Sequence, residues 1–260
     1  MLKENLVKRK LQDGKPVLGI WNTLASPLVT EVLAQGGLDF QIIDLEHGPF
    51  SLDQIHLHVS ACENASSCTP LVRVPSNEEW MVLQALDQEA YGVVVPHVDD
   101  RGSAKKLVSS IKYHPLGTRG FTPFSKAGGF TNSEAAGYVE RANASTLSVV
   151  IVESIAGLNA LDEIVDVSGI DVVYFGAYDL SQALGYPGQT THPEVVTAIK
   201  KGVETVTRSG KWAGGFVAQS KDDIKMQIDM GLRFITYQVD SAILHSHVCG
   251  VAEWFDKETN

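Results

Sequence analysis

Hydrophobic positions along this chain follow two alternating rhythms. Short continuous apolar runs, rich in Val, Ile and Phe, recur at Val17–Thr23, Phe40–Leu45, Pro70–Val74, Gly92–His97, Ser148–Val152, Val172–Phe175, Ala213–Val217 and Phe234–Val239. They are apolar on both faces, as parallel strands buried on both sides are. Between them lie stretches with the helical period: Leu28–Gln35, Leu52–Cys62, Glu78–Glu89, Ala104–Lys112, Gly157–Val167, Pro193–Arg208 and Asp222–Met230. One more helix, Leu2–Leu11, precedes the first run, and Ala242–Phe255 follows the last. Eight strand–helix units in a row predict one (β/α)8 TIM barrel, a single domain over residues 1–260 with an extra N-terminal helix. One interval is longer than such connections need. His114 to Thr146 carries Gly117, Gly120, Gly128 and Gly129, and a helix pattern near Ser133–Asn143. Long glycine-rich excursions are often functional; a surface insertion that packs on a neighbouring subunit fits equally.

Catalytic groups in such barrels stand at the C-terminal ends of the strands. Strand one ends near Trp21, strand two in Asp44-Leu45-Glu46-His47, strand three in Arg73, strand four in His97, strand five in Glu153, and strand six in Gly176-Ala177-Tyr178-Asp179. Glu153 and Asp179 lie one βαβ unit apart, and neighbouring strands are spaced roughly 4.8 Å. Both carboxylates should therefore project from one rim, where two hard oxygen ligands suit Mg²⁺ or Mn²⁺. Arg73 can stabilise a carboxylate or a developing oxyanion through its planar fork. His47 can move a proton near neutral pH, with Asp44 or Glu46 orienting its imidazole. A metal, a cation and a base together suit enolate chemistry beside a carbonyl. Singly, each residue has a blander use as a helix cap, an ion pair or a loop histidine; their convergence on one rim argues for function. His97 has no obvious acidic partner in the sequence. The pairs His56/His58 and His245/His247 sit in helical patterns, where residues two apart do not share a face, so neither is a good metal site.

Composition narrows the classes. The chain has 260 residues, 44% hydrophobic and 20% charged, with 21 Lys and Arg against 31 Asp and Glu. That is ordinary globular composition. A net charge of −10 without a basic cluster argues against a nucleic-acid partner. No signal-peptide core and no run of about 18 apolar residues appears, so no membrane partner is expected. Cys62, Cys68 and Cys249 form no CxxC motif and read as reduced thiols in a cytoplasmic protein.

The motifs, taken in order, resemble the HpcH/HpaI aldolase/citrate lyase family of metal-dependent class II pyruvate aldolases. The resemblance runs from about Val17 to Leu244. It rests on Gly19-Ile20-Trp21, Ile43-Asp44-Leu45-Glu46-His47, Val72-Arg73-Val74-Pro75, Val94-Val95-Pro96 and Pro115-Leu116-Gly117-Thr118-Arg119-Gly120. It continues through Val152-Glu153-Ser154, Gly176-Ala177-Tyr178-Asp179-Leu180-Ser181, Gly185-Tyr186 and His192-Pro193-Glu194-Val195. The resemblance implies reversible retro-aldol cleavage of a 4-hydroxy-2-keto acid to pyruvate and an aldehyde through a metal-bound enolate. It implies Glu153 and Asp179 as ligands of a divalent metal, Mg²⁺ or Mn²⁺ and possibly Co²⁺. It implies Arg73 on the pyruvyl oxygen, His47 steadied by Asp44 as acid/base, backbone amides around Ala177 and Tyr178 on the carboxylate, and Trp21 in the substrate site. It also implies a hexamer, a dimer of trimers, whose last helix is exchanged between subunits; Trp254 and Phe255 on that helix suit such a contact. Two departures bear on the substrate. Ile151 stands where many relatives have glutamine, and Tyr178 where they often have a small residue. Ile151 shares a strand face with Glu153 and should point into the barrel below the metal. These departures keep open a citrate-synthase-like ligase or lyase acting on a CoA thioester, and, less well supported by the residue set, a binding protein that kept the scaffold.

Overall fold

The computed structural model describes residues 4–65, 68–133 and 135–259. Eight strands close into a barrel in chain order, each hydrogen-bonded in parallel to its sequence neighbours, with β8 returning to β1. The strands are β1 (Val17–Asn22), β2 (Phe40–Asp44), β3 (Thr69–Arg73), β4 (Gly92–Val95), β5 (Leu147–Val152), β6 (Val172–Phe175), β7 (Trp212–Ala218) and β8 (Phe234–Val239). The helices are α1 (Leu6–Gln12), α2 (Pro27–Gln35), α3 (Ile55–Ala65), α4 (Glu79–Asp87), α5 (Arg101–Ile111), α6 (Ala135–Ser145), α7 (Ile155–Asn159), α8 (Leu161–Val165), α9 (Ala177–Ala183), α10 (Pro193–Arg208), α11 (Lys221–Met230) and α12 (Asp240–Thr259).

Strand side chains alternate between two cores, because successive residues face opposite sides. Phe40, Leu71, Val149, Ile151, Tyr174 and Phe234 fill the barrel interior. Their strand neighbours Ile43, Val72, Val150, Val173 and Ile235 pack outward with the helices. This two-sided burial is why the strands read as continuous apolar runs. The N-terminal helix closes the floor: Val7 and Leu11 join the interior cluster, and Asn5 caps α1 while its amide donates to the carbonyls of Tyr91 and Ser145.

Several boundaries differ from the sequence expectation. The predicted helix Gly157–Val167 is two short helices, α7 and α8, joined at Ala160. The predicted helix from Leu52 begins as a 3-10 turn at Leu52–Gln54 before α3. The first helix starts at Leu6; Leu2 and Lys3 lie outside the described residues. A short helix, α9, appears directly after β6, where the sequence suggested only a cap. The long excursion packs on the strand-start end of its own barrel, away from the mouth. There Arg119 donates to Asp87 at 2.7 Å and stacks on Tyr113, and Lys126 reaches both Glu63 and Glu89. Cys62 and Cys68 are buried neighbours and remain thiols, as Cys249 does. Among the described residues no helix is long and apolar enough to cross a membrane.

Candidate active site

The period of two along each strand decides what reaches the mouth. Phe40 and Ile42 face inward on β2, so Asp44 does as well; Leu71 puts Arg73 inward on β3, and Ile151 puts Glu153 inward after β5. Register then sets neighbours. Asp44 pairs with Arg73 across β2 and β3, and Ile151 pairs with Tyr174 across β5 and β6. The mouth encloses a cavity of about 310 Å³ whose lining includes Trp21, Asp44, His47, Arg73, Glu153 and Asp179. Ile151, Tyr174, Ala177 and Tyr178 also line it, and Phe216, Val217 and Val239 form an apolar side. A larger groove of about 470 Å³ lies outside the barrel against α10, but Asp162, Glu194 and Lys201 are its only charged groups and no strand end opens into it. The chemistry converges at the mouth.

Arg73 is held from three sides. Its Nε and Nη2 donate to the two oxygens of Asp44 at 2.7 and 2.5 Å. Its Nη1 lies 2.9 Å from Glu46 Oε2, and its guanidinium carbon sits 4.4 Å over the Trp21 ring. Burial opposes the charge, but the Asp44 hydrogen bond and the charges of Asp44, Glu46 and Glu153 outweigh it and raise the pKa of Arg73. Two of its five N–H groups are thereby hydrogen-bonded, both to Asp44, and the Nη1 group meets Glu46 as an ion pair without a hydrogen bond.

This arrangement corrects one expectation. Asp44 does not orient the His47 imidazole. Its Oδ1 accepts the backbone N–H groups of Glu46 at 3.0 Å and His47 at 3.3 Å, so it shapes the turn that carries the histidine. The imidazole itself is on an exposed residue at the edge of the cavity. His97 corrects a second expectation, because it has acidic partners. Its backbone, at φ 55°, lets both its N–H and its Nδ1 reach Glu153 Oε1, at 2.8 and 3.1 Å. Its Nε2 lies 3.7 Å from Glu46 Oε1. The partners come from β2 and β5, which no local pattern on β4 reveals.

Glu153 is 6% exposed. Burial is the largest influence on it and raises its pKa; Asp179 and Glu46 push the same way, while the backbone N–H and imidazole of His97 pull it down. One oxygen is occupied by His97. The other faces Gly176, where an added Cβ would stand only 2.6 Å from Oε2. A glycine at this β6 end therefore leaves open the space on the side from which α9 departs. Asp179 is exposed in the first turn of α9; the N-cap of that helix is Gly176, so Asp179 is not its cap. Two carboxylates on one cavity, Glu153 desolvated and destabilised by the charge of Asp179, suit a hard divalent cation. Among the described residues no three His, Cys, Asp or Glu side chains gather as a ready metal cage.

The HpcH/HpaI aldolase/citrate lyase family model matches residues 18–246, most of the chain. The chain belongs to this family. It is 36% identical over 241 residues to the hydroxypyruvate/pyruvate aldolase of Roseobacter denitrificans, covering 92% of this chain and 93% of that one. It is 32% identical over 243 residues to the 2-keto-3-deoxy-L-rhamnonate aldolase of Escherichia coli, covering 93% and 90%. The crystal structure of the citrate synthase SbnG superposes with a TM-score of 0.87 at 30% identity, covering 96% and 97%. The family assignment makes the chain a carbon–carbon lyase of the class II aldolase type. Sequence reasoning missed Tyr174 and Thr236, which lie beneath the barrel mouth, although alternation from Ile151 and its β6 partner points to the first. It also missed Gly176, whose value appears only when Glu153 is placed against it.

Proposed function

We propose that this enzyme reversibly cleaves a 4-hydroxy-2-keto acid to pyruvate and an aldehyde. The observation that carries the proposal is the meeting of Glu153, Asp179, Arg73 and His47 around one cavity. Glu153 and Asp179 would hold a divalent cation, Mg²⁺, Mn²⁺ or Co²⁺, which supplies Lewis acidity at the keto group when bound. The N–H groups of Arg73 that Asp44 does not take bind the oxygen on which charge develops, and the Asp44 and Glu46 contacts fix the direction of the guanidinium. His47 exchanges the proton of the 4-hydroxyl as the C3–C4 bond breaks or forms. The first N–H groups of α9, at Ala177 and Tyr178, lack partners within the helix and suit the substrate carboxylate. Trp21 supports Arg73 from below, and Ile151 and Tyr178 shape the floor and wall. The apolar side formed by Phe216, Val217 and Val239 favours an aldehyde with an apolar portion. We also propose a homohexamer in which α12 packs on a partner subunit, since its apolar residues face outward here, and a cytoplasmic location, in keeping with the three thiols.

A citrate-synthase-like reaction is the second possibility. It is favoured by the apolar Ile151 in the floor and by the similarity to SbnG. One assay panel separates the two. Release of pyruvate from hydroxylated 2-keto acids, abolished by EDTA and restored by Mg²⁺ or Mn²⁺, is the expected result. Release of CoA from acetyl-CoA and oxaloacetate without any pyruvate formation would replace the aldolase with the ligase. Borohydride trapping of substrate on a lysine would overturn the metal-dependent mechanism altogether.

A further inference from the structure

Beneath the cation-and-arginine layer, three polar groups stand among Val94, Ile151 and Phe234: the Trp21 indole N–H, the Tyr174 hydroxyl and the Thr236 hydroxyl. Trp21 Nε1 donates to the Tyr174 oxygen at 3.3 Å. Thr236 Oγ1 lies 2.7 Å from that same oxygen. Hydrogen-bond accounting fixes the direction of the second contact. Thr236 is 0% exposed, and among the described residues the Tyr174 oxygen is the partner its hydroxyl has. If Tyr174 donated to Thr236, the threonine proton would be buried without an acceptor, which is costly. The satisfied arrangement has Thr236 donating to Tyr174. Both acceptor positions of the tyrosine oxygen are then filled, by Trp21 and Thr236, and its own proton is left over. Tyr174 is among the residues that line the mouth cavity, the side from which an acceptor for that proton can enter.

We propose that the Tyr174 hydroxyl donates a hydrogen bond to the keto oxygen of the bound 2-keto acid, sharing that oxygen with Arg73. This rests on the aldolase function proposed above. The two donors are linked mechanically: the Trp21 ring carries Arg73 on its face at 4.4 Å and meets Tyr174 edge-on at 5.7 Å. The hydroxyl also feels the charges of Arg73 and Glu153. Burial raises the pKa of Tyr174, so the group stays a protonated donor and does not become a competing phenolate. Ile151, its partner in register across β5 and β6, offers no donor at this level. As the substrate C3 loses its proton or its aldehyde, charge moves onto the keto oxygen. A fixed donor aimed there strengthens in step with that charge, which favours the reaction more than ground-state binding.

Two readouts test this. One is exchange of pyruvate methyl protons with D₂O, followed by NMR. The other is calorimetric affinity for pyruvate and for oxalate, a planar dianion resembling the enolate, both with Mn²⁺ present. Y174F keeps the ring and removes the donor. It should slow exchange and weaken oxalate by about tenfold or more, while pyruvate affinity stays within about threefold. T236V leaves the tyrosine proton directed at the cavity and should stay within about threefold of wild type in all three measurements. If Y174F does not fold, 3-fluorotyrosine at position 174 serves instead: a more acidic donor should tighten oxalate binding and leave pyruvate binding nearly unchanged. Wild-type exchange and oxalate affinity in Y174F would overturn the proposal. Equal weakening of pyruvate and oxalate, or a T236V loss matching that of Y174F, would reduce Tyr174 to packing. A wild-type enzyme that neither exchanges pyruvate protons nor binds oxalate would overturn the aldolase function, and this role with it.

Discussion

At the scale of single residues, the site depends on side chains whose roles are set by their partners. Arg73 makes its bidentate contact to Asp44 and its ion pair to Glu46 with a planar fork that lysine lacks. Arg73→Lys keeps the charge but cannot hold both carboxylates and still present donors in a fixed direction. Its kcat should fall by about 10²–10³, the usual loss for an oxyanion-stabilising donor, with a melting temperature close to wild type. Near-normal turnover would make Arg73 a structural ion pair. His58 illustrates the opposite case, a histidine used for structure. It is 1% exposed, its Nδ1 contacts Thr30 Oγ1 at 2.7 Å, and burial lowers its pKa from 6.5 to about 4. The folded protein thus binds this proton more weakly than the unfolded chain. The stability contributed by neutral His58 is fully present above about pH 6.5 and is lost as pH falls toward 4, amounting to roughly 3 kcal/mol at most. Urea melts of wild type and His58→Gln across that window should converge as pH falls. Parallel curves would show that His58 does not report on acid unfolding.

At the scale of elements, strand periodicity placed the inward-facing residues, and the turns after the strands placed the rest. Alternation along β2, β3 and β5 makes Asp44, Arg73, Ile151 and Glu153 legible as a set pointing into the barrel. Asp179 was legible by its position after β6, but α9 was not. That helix has 7 residues and an ordinary glycine N-cap without a side-chain bond, so no capping signal announces it. The opening of α9 toward Glu153 depends on Gly176, and that need arises only from the carboxylate beside it. On α12, the apolar residues Leu244, Val248, Val251 and Phe255 follow a four-three-four spacing and are 55%, 64%, 53% and 58% exposed. That spacing makes a stripe along one side of a helix, and exposed stripes of this kind mark contacts with other chains. Val248→Asp should lower the molecular mass measured by light scattering while leaving the far-UV circular dichroism of the barrel intact. An unchanged mass, or a wild-type protein that is already monomeric, would remove α12 from any interface.

At the scale of the whole molecule, the barrel brings acids from three strand ends toward one mouth. Glu153 is destabilised by its own burial and by Asp179 and Glu46. Binding that favours the folded state stabilises it by about 2.7 kcal/mol at a ligand concentration one hundred times Kd. Saturating Mn²⁺ should therefore raise the melting temperature by roughly 5–10 °C in a chain of this size, and Asp179→Asn should abolish the rise. A wild-type melting curve indifferent to divalent cations would argue against the paired-carboxylate site. Much of this protein was determined by the sequence alone. The continuous apolar strands specify a parallel sheet covered by helices, their number specifies a closed barrel, and a period of two specifies which end residues face its axis. These are local consequences of backbone geometry, and they hold without knowledge of any partner. Only the tertiary structure decided who touches whom at the mouth. His97 meets Glu153 across β4 and β5, Asp44 takes the Arg73 fork and leaves the His47 ring free of it, and Tyr174 is pinned between Trp21 and Thr236 from opposite ends of the chain. Such pairings depend on barrel closure and strand register, which bring together residues as much as 153 positions apart, and no local pattern encodes a contact at that separation.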